Sequence, residues 1–327
     1  MYCVLKLGPF IDAEWDLGGL PAWLLQMPNV ALRTANQVFL EATSRYITAV
    51  SDQVRSLQVT APGKGGPILM LQCETAWTCG KEDLAQSYLG ELLRYFREAG
   101  LNVPVINSNN LWQSIEGQID GWSGTGQMLA TMRQLATVRP TQPRIVIEFP
   151  IGSTAIWGRE PEPAASTPAL VRRMTEVLAG GGQFNVTPFS GGRNFGFWPG
   201  RLPEGLALFA TSEFGKDAAV TEAGKPAASH AAVRRVAHLA SRFGRVFANL
   251  DPSFQPIAID PESFGDDAAG GGGSEKSKAG NGGGRISIVN ASGSQGSVAF
   301  LFADPAAGHA TTTLLLPDGS TLPVTIG

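Results

Sequence analysis

Cysteine and histidine are scarce in this chain of 327 residues, which has three of each. Cys3, Cys73 and Cys79 are too few for a disulfide framework and show no paired C-x-x-C spacing for zinc. All three histidines lie late in the chain, which argues against a histidine-activated nucleophile or a multi-histidine metal site. We therefore predict chemistry that depends on carboxylates, without a metal or a cofactor.

Long apolar runs and clusters of basic residues are also missing. No apolar stretch is long enough to span a bilayer, so we expect no membrane partner. The formal net charge is −3, and the sequence has no run of basic residues that could bind along a phosphate backbone. We therefore expect no nucleic-acid partner. The first ten residues lack the basic start and the cleavage site of a signal peptide, and their pattern is typical of a strand.

What the chain does contain is an alternation of short apolar runs and helical patterns. Near-continuous apolar runs predict parallel strands that are covered on both faces. The predicted strands are Tyr2–Leu7, Pro67–Cys73, Val103–Ser108, a weak one near Ile119–Trp122, Arg144–Phe149 and Gln183–Phe189. Helical spacing predicts helices at Asn36–Leu57, Glu82–Ala99, Gln127–Thr137, Pro168–Ala179 and Ala227–Phe247. This alternation predicts an α/β fold with a parallel sheet over residues 1–250.

The composition changes after residue 250. Residues 251–284 include the run DDAAGGGGSEKSKAGNGGG, which is typical of a flexible linker. Residues 285–327 contain four short strand patterns and predict part of a small β-sandwich. Because about forty residues are too few for an independent sandwich, we expect this segment to pack on the first domain or to be partial.

Three glutamates follow predicted strands. Glu14, Glu74 and Glu148 lie at or just after the ends of the first, second and fifth of them. The carboxyl ends of barrel strands converge on one pocket, and hydrolysis of a glycoside needs two carboxyl groups there. The alternative for each glutamate is that it caps a helix or faces solvent.

Tryptophans follow the strand ends as well. Trp15, Trp77, Trp157 and Trp198 lie close to predicted strand ends, where aromatic rings stack on the apolar faces of sugars. Core packing is the alternative for each of them. The glycine-rich segment SGGRNFGFWPG does not fit a nucleotide-binding motif and indicates a tight turn beside the pocket.

Several sequence blocks together resemble glycoside hydrolase family 35, the β-galactosidase family. These are GPFIDAEWDLGGLPAWLL, GGPILMLQCETAW, VIEFPIGSTAIWG, NVTPFSGGRNFGFWPG and DAAVTEAGKP, in that order over roughly residues 1–245. The resemblance implies a (β/α)8 TIM-type barrel, here strands 3 to 8, and retaining hydrolysis of terminal β-galactosides. It implies a β-galactoside or a related oligosaccharide as the partner.

The resemblance also implies roles for particular residues. Glu148 matches the nucleophile, and Ala13 and Glu14 match groups that hold galactose hydroxyls. The remaining positions that we expect at the sugar site follow from the same blocks; they are Thr75, Trp77, Trp157, Asn185 and Phe214.

One departure from the family pattern affects the chemistry directly. The family reads Q-x-E-N-E where this chain reads Gln72–Ala76, so Thr75 replaces the sugar-binding asparagine and Ala76 replaces the acid/base. An alanine cannot transfer a proton, and that transfer contributes roughly 10²–10⁴ in rate. Glu74 is a possible substitute if the strand continues that far, because positions i and i+2 of a strand face the same side, although it would lie one layer deeper than position 76. A catalytically impaired carbohydrate-binding relative, or a fragment, is therefore the alternative function.

The other departures concern the sugar site and the barrel. Phe214 and Lys216 stand where the family has tyrosines, and Gly152–Thr154 replaces a Gly-Trp pair. The first block corresponds to the third barrel strand, so about two βα units are expected to be absent before it. A misplaced start, a gene remnant or another element that covers the open edge would each account for this, and the DNA upstream of Met1 distinguishes them.

Overall fold

The computed structural model describes residues 2–12, 15–63, 65–78, 82–159, 165–202, 208–253, 286–294, 296–303, 310–315 and 320–326. The strands of the α/β part are β1 Cys3–Gly8, β2 Ile68–Cys73, β3 Val105–Asn107, β4 Gln118–Asp120, β5 Trp122–Ser123, β6 Ile145–Pro150, β7 Gln183–Thr187, β8 Gly192–Arg193 and β9 Glu213–Phe214. The C-terminal strands are β10 Asp251–Ser253, β11 Ile286–Gly293, β12 Gly296–Ala303, β13 Ala310–Leu315 and β14 Thr321–Ile326. The helices are α1 Gln37–Val54, α2 Glu82–Glu98, α3 Met128–Val138, α4 Thr167–Ala179, α5 His230–Arg242 and the short α6 Gly244–Phe247. Short 3₁₀ helices lie at Asp16–Gly19, Ala22–Gln26 and Arg55–Leu57.

Parallel strands form two sheets in which spatial order follows sequence order. One sheet has the order β1-β2-β3-β4 and the other β5-β6-β7, with parallel pairing throughout. All six predicted strands of residues 1–250 are confirmed, as are the five predicted helices between and after them. The α/β class is therefore confirmed. Among the described residues the strands do not close into a barrel, because β1 and β7 are not paired with each other.

Gly121 divides what would otherwise be one strand into β4 and β5. Its N–H donates to the carbonyl oxygen of Asn107 at 3.0 Å, so the backbone turns there from one sheet to the other. A Cβ at this position would lie 2.3 Å from that same oxygen. A glycine is required because the two backbones approach so closely.

Replacing Gly121 with alanine is expected to lower the free energy of unfolding by about 1–3 kcal/mol, because the backbone of the corner must shift. Urea unfolding followed by circular dichroism measures this loss. Gly126→Ala is the matched control, since a Cβ there would meet nothing within 4 Å. Equal stabilities of the two variants would contradict this account of the corner.

Helices cover the outer faces of both sheets, and a small apolar cluster fills the inner face. The inner cluster joins Ile106, Ile145 and Ile147 to Val4, Met70 and Ile119. Residues that alternate with these, such as Leu71 and Val146, pack outward against the helices. The strands are thus apolar on both faces, as the near-continuous apolar runs predicted.

Local signals position the covering helices. Asn36 caps α1, since its side-chain oxygen accepts a hydrogen bond from the N–H of Phe39 at 3.1 Å. Ser166 caps α4 in the same way through the N–H of Ala169, and Pro168 lies in the first turn of that helix. None of the described helices is long and apolar enough to cross a membrane.

The sheet formed by β10, β11 and β12 packs against the α/β part. β10, β11 and β12 form one antiparallel sheet, and β13 pairs with β14. Val289, Phe300 and Phe302 join the core cluster beneath α4, where Arg172 also donates to the carbonyl oxygen of Ala303 at 2.7 Å. Part of the range predicted as linker, Asp251–Ser253, is a strand, whereas residues 254–285 lie outside the described part. The division into three segments stays a prediction.

Candidate functional site

A cavity of about 420 Å³ opens at the carboxyl ends of the parallel strands. Lys6 from β1, Glu148 from β6 and Thr187 from β7 line it, together with Asp12 from the loop after β1. Phe214 from β9 adds an apolar wall. Parallel strands present their carboxyl ends on one side of a sheet, which brings residues distant in sequence together here.

Glu148 is the best-positioned carboxylate of the cavity. Its side chain is 14% exposed, and its Oε1 lies 3.0 Å from Lys6 Nζ. Gln72 Nε2 donates to the same oxygen at 2.7 Å. Burial by itself raises the pKa of Glu148, but the charge of Lys6 and hydrogen bonds from Gln72, Lys6 and Ser123 outweigh it, so the pKa is below its ordinary value. The group is therefore an ionised carboxylate near neutral pH.

Replacing Lys6 with methionine is expected to raise the pKa of Glu148, because burial is then opposed by hydrogen bonds alone. The pKa of Glu148, followed by NMR of isotope-labelled glutamate carboxyl groups, should therefore move to a higher value. Lys225→Met, which removes an exposed lysine, is the control. An unchanged pKa in the Lys6 variant would show that Lys6 does not tune this carboxylate.

Glu74 does not line the cavity, which corrects the prediction that it points toward it. Its side chain is fully buried, with Oε2 2.8 Å from an Arg33 nitrogen and Oε1 2.5 Å from the hydroxyl of Tyr88. The predicted i, i+2 alternation fails because β2 ends at Cys73 and both Glu74 and Ala76 have left-handed backbone, with φ of 57° and 45°. Burial raises the pKa of Glu74, although Arg33 and Tyr88 oppose that rise.

Thr75 and Ala76 lie on the segment that leaves β2. Thr75 is buried, and its hydroxyl donates to the carbonyl oxygen of Phe10 at 3.3 Å, so it does not face the cavity. Ala76 is exposed, and its N–H donates to the hydroxyl of Ser108 at 3.1 Å. Gln72 contacts this hydroxyl and Glu148 as well, at 3.4 and 2.7 Å, so a short chain of hydrogen bonds connects Ala76 to the carboxylate.

The predicted tryptophans have three different environments. Trp77 is a core residue that packs against Tyr88 and donates to the carbonyl oxygen of Arg33. Trp157 is 67% exposed and lies outside the lining of the cavity. Trp15 and Trp198 stack face to face with centroids 5.4 Å apart, which joins the loop after β1 to the loop after β8.

The remaining predicted residues are only partly brought together. Phe214 lines the cavity, whereas Asn185 is exposed and donates to the carbonyl oxygen of Ile147. Ala13 and Glu14 lie outside the described residues. Among the described residues, no group of three or more histidine, cysteine, aspartate or glutamate side chains could hold a metal ion.

Several polar residues of the site were not predicted from the sequence. Lys6 and Gln72 are polar residues inside otherwise apolar strands, VLKL and ILMLQC, and this is the signal that could have found them. Asp12 and Asn194 lie on loops that line the cavity, and no pattern in the sequence distinguished them.

The fold and the site define an α/β protein whose ionised glutamate faces a cavity at the carboxyl ends of parallel strands. The model of the family described as "Glycosyl hydrolases family 35" matches residues 1–240. The chain therefore belongs to glycosyl hydrolases family 35, which confirms the resemblance of its sequence blocks.

Curated relatives carry the names of that family. Human "Beta-galactosidase-1-like protein 2" is 30% identical over 240 residues, which cover 72% of this chain and 37% of the relative. Bovine "Beta-galactosidase" is 31% identical over 207 residues, which cover 60% of this chain and 31% of the relative. The chain thus spans about a third of the length of the curated relatives it matches.

Solved structures of other glycosidases are more distantly similar. A "GH2 beta-galacturonidase from Eisenbergiella tayi" matches at a TM-score of 0.39 and 13% identity, covering 62% of this chain and 37% of that one. An "endo-beta-1,4-mannanase from Thermotoga petrophila" matches at 0.41 and 10% identity, covering 89% and 71%. TM-scores this low do not establish a shared fold.

Proposed function

We propose that this chain is a retaining glycosidase that hydrolyses terminal β-galactosides with Glu148 as the nucleophile. The observation that carries the proposal is the state of Glu148. Lys6 and Gln72 hold one of its oxygens, and its pKa is lowered, so an ionised carboxylate faces the cavity. The family and the names of the relatives support a β-galactoside as the substrate.

Within this proposal, Glu148 attacks the anomeric carbon and forms a glycosyl ester, which water then hydrolyses. Lys6 and Gln72 position the carboxylate and keep it ionised between turnovers. Phe214 provides an apolar face in the cavity. The stacked pair of Trp15 and Trp198 adds exposed aromatic surface for a saccharide. Glu74 has a structural role in this proposal, because both of its carboxylate oxygens accept hydrogen bonds, one from Arg33 and the other from Tyr88.

We also propose that β1 to β7, with β4 and β5 counted as one strand, are strands 3 to 8 of the family's (β/α)8 barrel. Three features support this: parallel pairing in sequence order, an apolar cluster on the inner face, and helices on the outer faces. The short gap at Gly121 lies inside one strand of such a barrel, since Asp120 and Trp122 flank it directly.

The experiment that tests the function is trapping of the glycosyl-enzyme. A 2-deoxy-2-fluoro-β-galactoside with a good leaving group needs little acid assistance, so it should label this chain even without a carboxylate at position 76. Peptide mapping by mass spectrometry is expected to locate the label on Glu148. A label on another residue would reject Glu148 as the nucleophile.

The second candidate is a carbohydrate-binding relative without turnover. Ala76 favours it, because this position carries no proton donor and is exposed beside Ser108. Isothermal titration with galactose distinguishes the two functions. Binding of galactose without labelling and without release of a chromogenic leaving group would support the binding protein.

A further inference from the structure

We propose that Asp12 is the second catalytic carboxyl group and acts as the general acid and base opposite Glu148. This assignment rests on the proposed function, because a general acid and base has a role here only if Glu148 forms a glycosyl-enzyme. Nothing in the family pattern assigns a proton transfer to this position.

The demand for a second carboxyl group follows from the reaction itself. Retaining hydrolysis needs one carboxylate that attacks and another carboxyl that protonates the leaving oxygen. Glu148 is held ionised by Lys6 and Gln72, so it fits the first role and cannot also supply the proton. Among the described residues that line the cavity, Asp12 is the one further carboxyl group.

The other candidates are excluded by their surroundings. Glu74 is fully buried with its oxygens on Arg33 and Tyr88, and it has no access to the cavity. Ala76 has no ionisable group. Lys6 is occupied as the ion-pair partner of Glu148.

The geometry of the loop after β1 favours a functional role for Asp12. Asp12 has a φ of 97°, a backbone conformation that side-chain-bearing residues rarely adopt and that is concentrated at functional sites. Backbone hydrogen bonds hold the loop in this conformation: Ile11 N–H donates to the carbonyl oxygen of Gly18 at 2.8 Å, and Trp15 N–H donates to the carbonyl oxygen of Asp12 at 3.3 Å. Asp12, on the loop after β1, and Glu148, on β6, line the same cavity, which is what a reaction with two carboxyl groups requires.

The proposed reaction has two steps. In the first step, protonated Asp12 gives its proton to the glycosidic oxygen while Glu148 bonds to the anomeric carbon, and the bond between that carbon and the leaving oxygen breaks. In the second step, ionised Asp12 takes a proton from water, the water oxygen bonds to the anomeric carbon, and the ester to Glu148 breaks. Both carboxyl groups return to their starting states.

Azide rescue of the Asp12→Ala variant tests the proposal. We expect hydrolysis of a galactoside with a poor leaving group to fall by roughly 10²–10⁴-fold, the range for loss of a general acid and base. Hydrolysis of an activated aryl galactoside should fall less, and added azide should restore it with formation of β-galactosyl azide. Azide needs no deprotonation, so it replaces water and the missing base together. The unmodified chain should form no galactosyl azide.

Two further variants separate this role from binding and from misfolding. Glu14→Gln, beside Asp12 in sequence, should show no azide rescue if it only holds the sugar. Asp12→Ala combined with Ala76→Glu should regain turnover of the poor substrate, because the new carboxyl lies on the segment that hydrogen bonds through Ser108 and Gln72 connect to Glu148. Trapping of a fluorosugar on Glu148 in Asp12→Ala demonstrates that the variant is folded.

Three outcomes would overturn the assignment. The first is a loss of less than about tenfold on the poor substrate in Asp12→Ala, well below the contribution of general acid–base catalysis. The second is a raised KM with no azide product, which would make Asp12 a binding residue. The third is azide product from the unmodified chain, which would show that no base is present. Failure to label Glu148 in the unmodified chain rejects the proposed function itself, and the role of Asp12 with it.

Discussion

Replacing Glu148 with glutamine is expected to lower turnover of an activated aryl β-galactoside by at least roughly 10³-fold, as loss of a covalent nucleophile does in other enzymes. The amide keeps the size of the side chain and a hydrogen-bonding group beside Gln72, but it cannot form the glycosyl ester. Release of the aryl group under saturating substrate measures the effect. Labelling by the fluorosugar should vanish in the same variant.

The control for this prediction is an exposed glutamate outside the cavity. Glu222 forms an ion pair with Arg193 at the surface, so Glu222→Gln removes a carboxylate without changing the site. Its turnover should match that of the unmodified chain. If Glu148→Gln retains turnover comparable to that of Glu222→Gln, Glu148 is not the nucleophile.

Replacing Arg33 with methionine is expected to lower the free energy of unfolding by about 3–5 kcal/mol, because it leaves the buried carboxylate of Glu74 without its charged partner. Arg33 bonds to Glu74 through two of its nitrogens, at 2.8 and 3.2 Å, and to the carbonyl oxygen of Thr75 at 2.8 Å. It also lies over the ring of Phe10 at 3.9 Å from the ring centroid. Urea unfolding at neutral pH measures the loss.

The pH dependence of this loss has a definite sign. Burial keeps the folded-state pKa of Glu74 above its ordinary value. The stability associated with such a group is complete at low pH and decreases as pH rises through the folded-state pKa. Without Arg33 that pKa rises further, so the deficit of Arg33→Met should be largest at neutral pH and shrink as the solution is acidified.

A double variant identifies the cause of the destabilisation. Arg33→Met combined with Glu74→Gln removes both charges, so it should be more stable than Arg33→Met alone at neutral pH. Equal stabilities would show that the loss comes from packing against Phe10 rather than from the unpaired carboxylate. A loss below about 1 kcal/mol in Arg33→Met would contradict a buried ion pair, because only exposed pairs contribute so little.

The positions of Glu148 and Glu74 show how much of the site a local sequence pattern can predict. Glu148 lies within β6, beside an irregularity of the strand register between Val146 and Phe149, and the structure places it at the cavity. Glu74 follows β2 by one residue, where the backbone becomes left-handed and alternation no longer applies. Predicting that change would have required knowledge of Arg33 and Tyr88, the distant partners that hold the carboxylate in the core.

The tryptophans show the same dependence on distant partners. Trp77 and Trp157 both follow strands, yet one is buried against Tyr88 and the other is 67% exposed. The residue type and its distance from a strand are alike in the two cases. Only the packing of α2 against the segment after β2 separates a core aromatic from a surface one.

The sequence by itself determined the α/β class, the order of strands and helices, and the family. These follow from apolar periodicity, helix caps and contiguous blocks, all of which act over a few residues. The tertiary structure alone decided which polar groups share the cavity, because Lys6, Gln72 and Glu148 come from three strands that meet only after folding. It likewise decided that Asp12 faces that cavity while Glu74 is enclosed in the core, since burial depends on contacts between residues far apart in the chain.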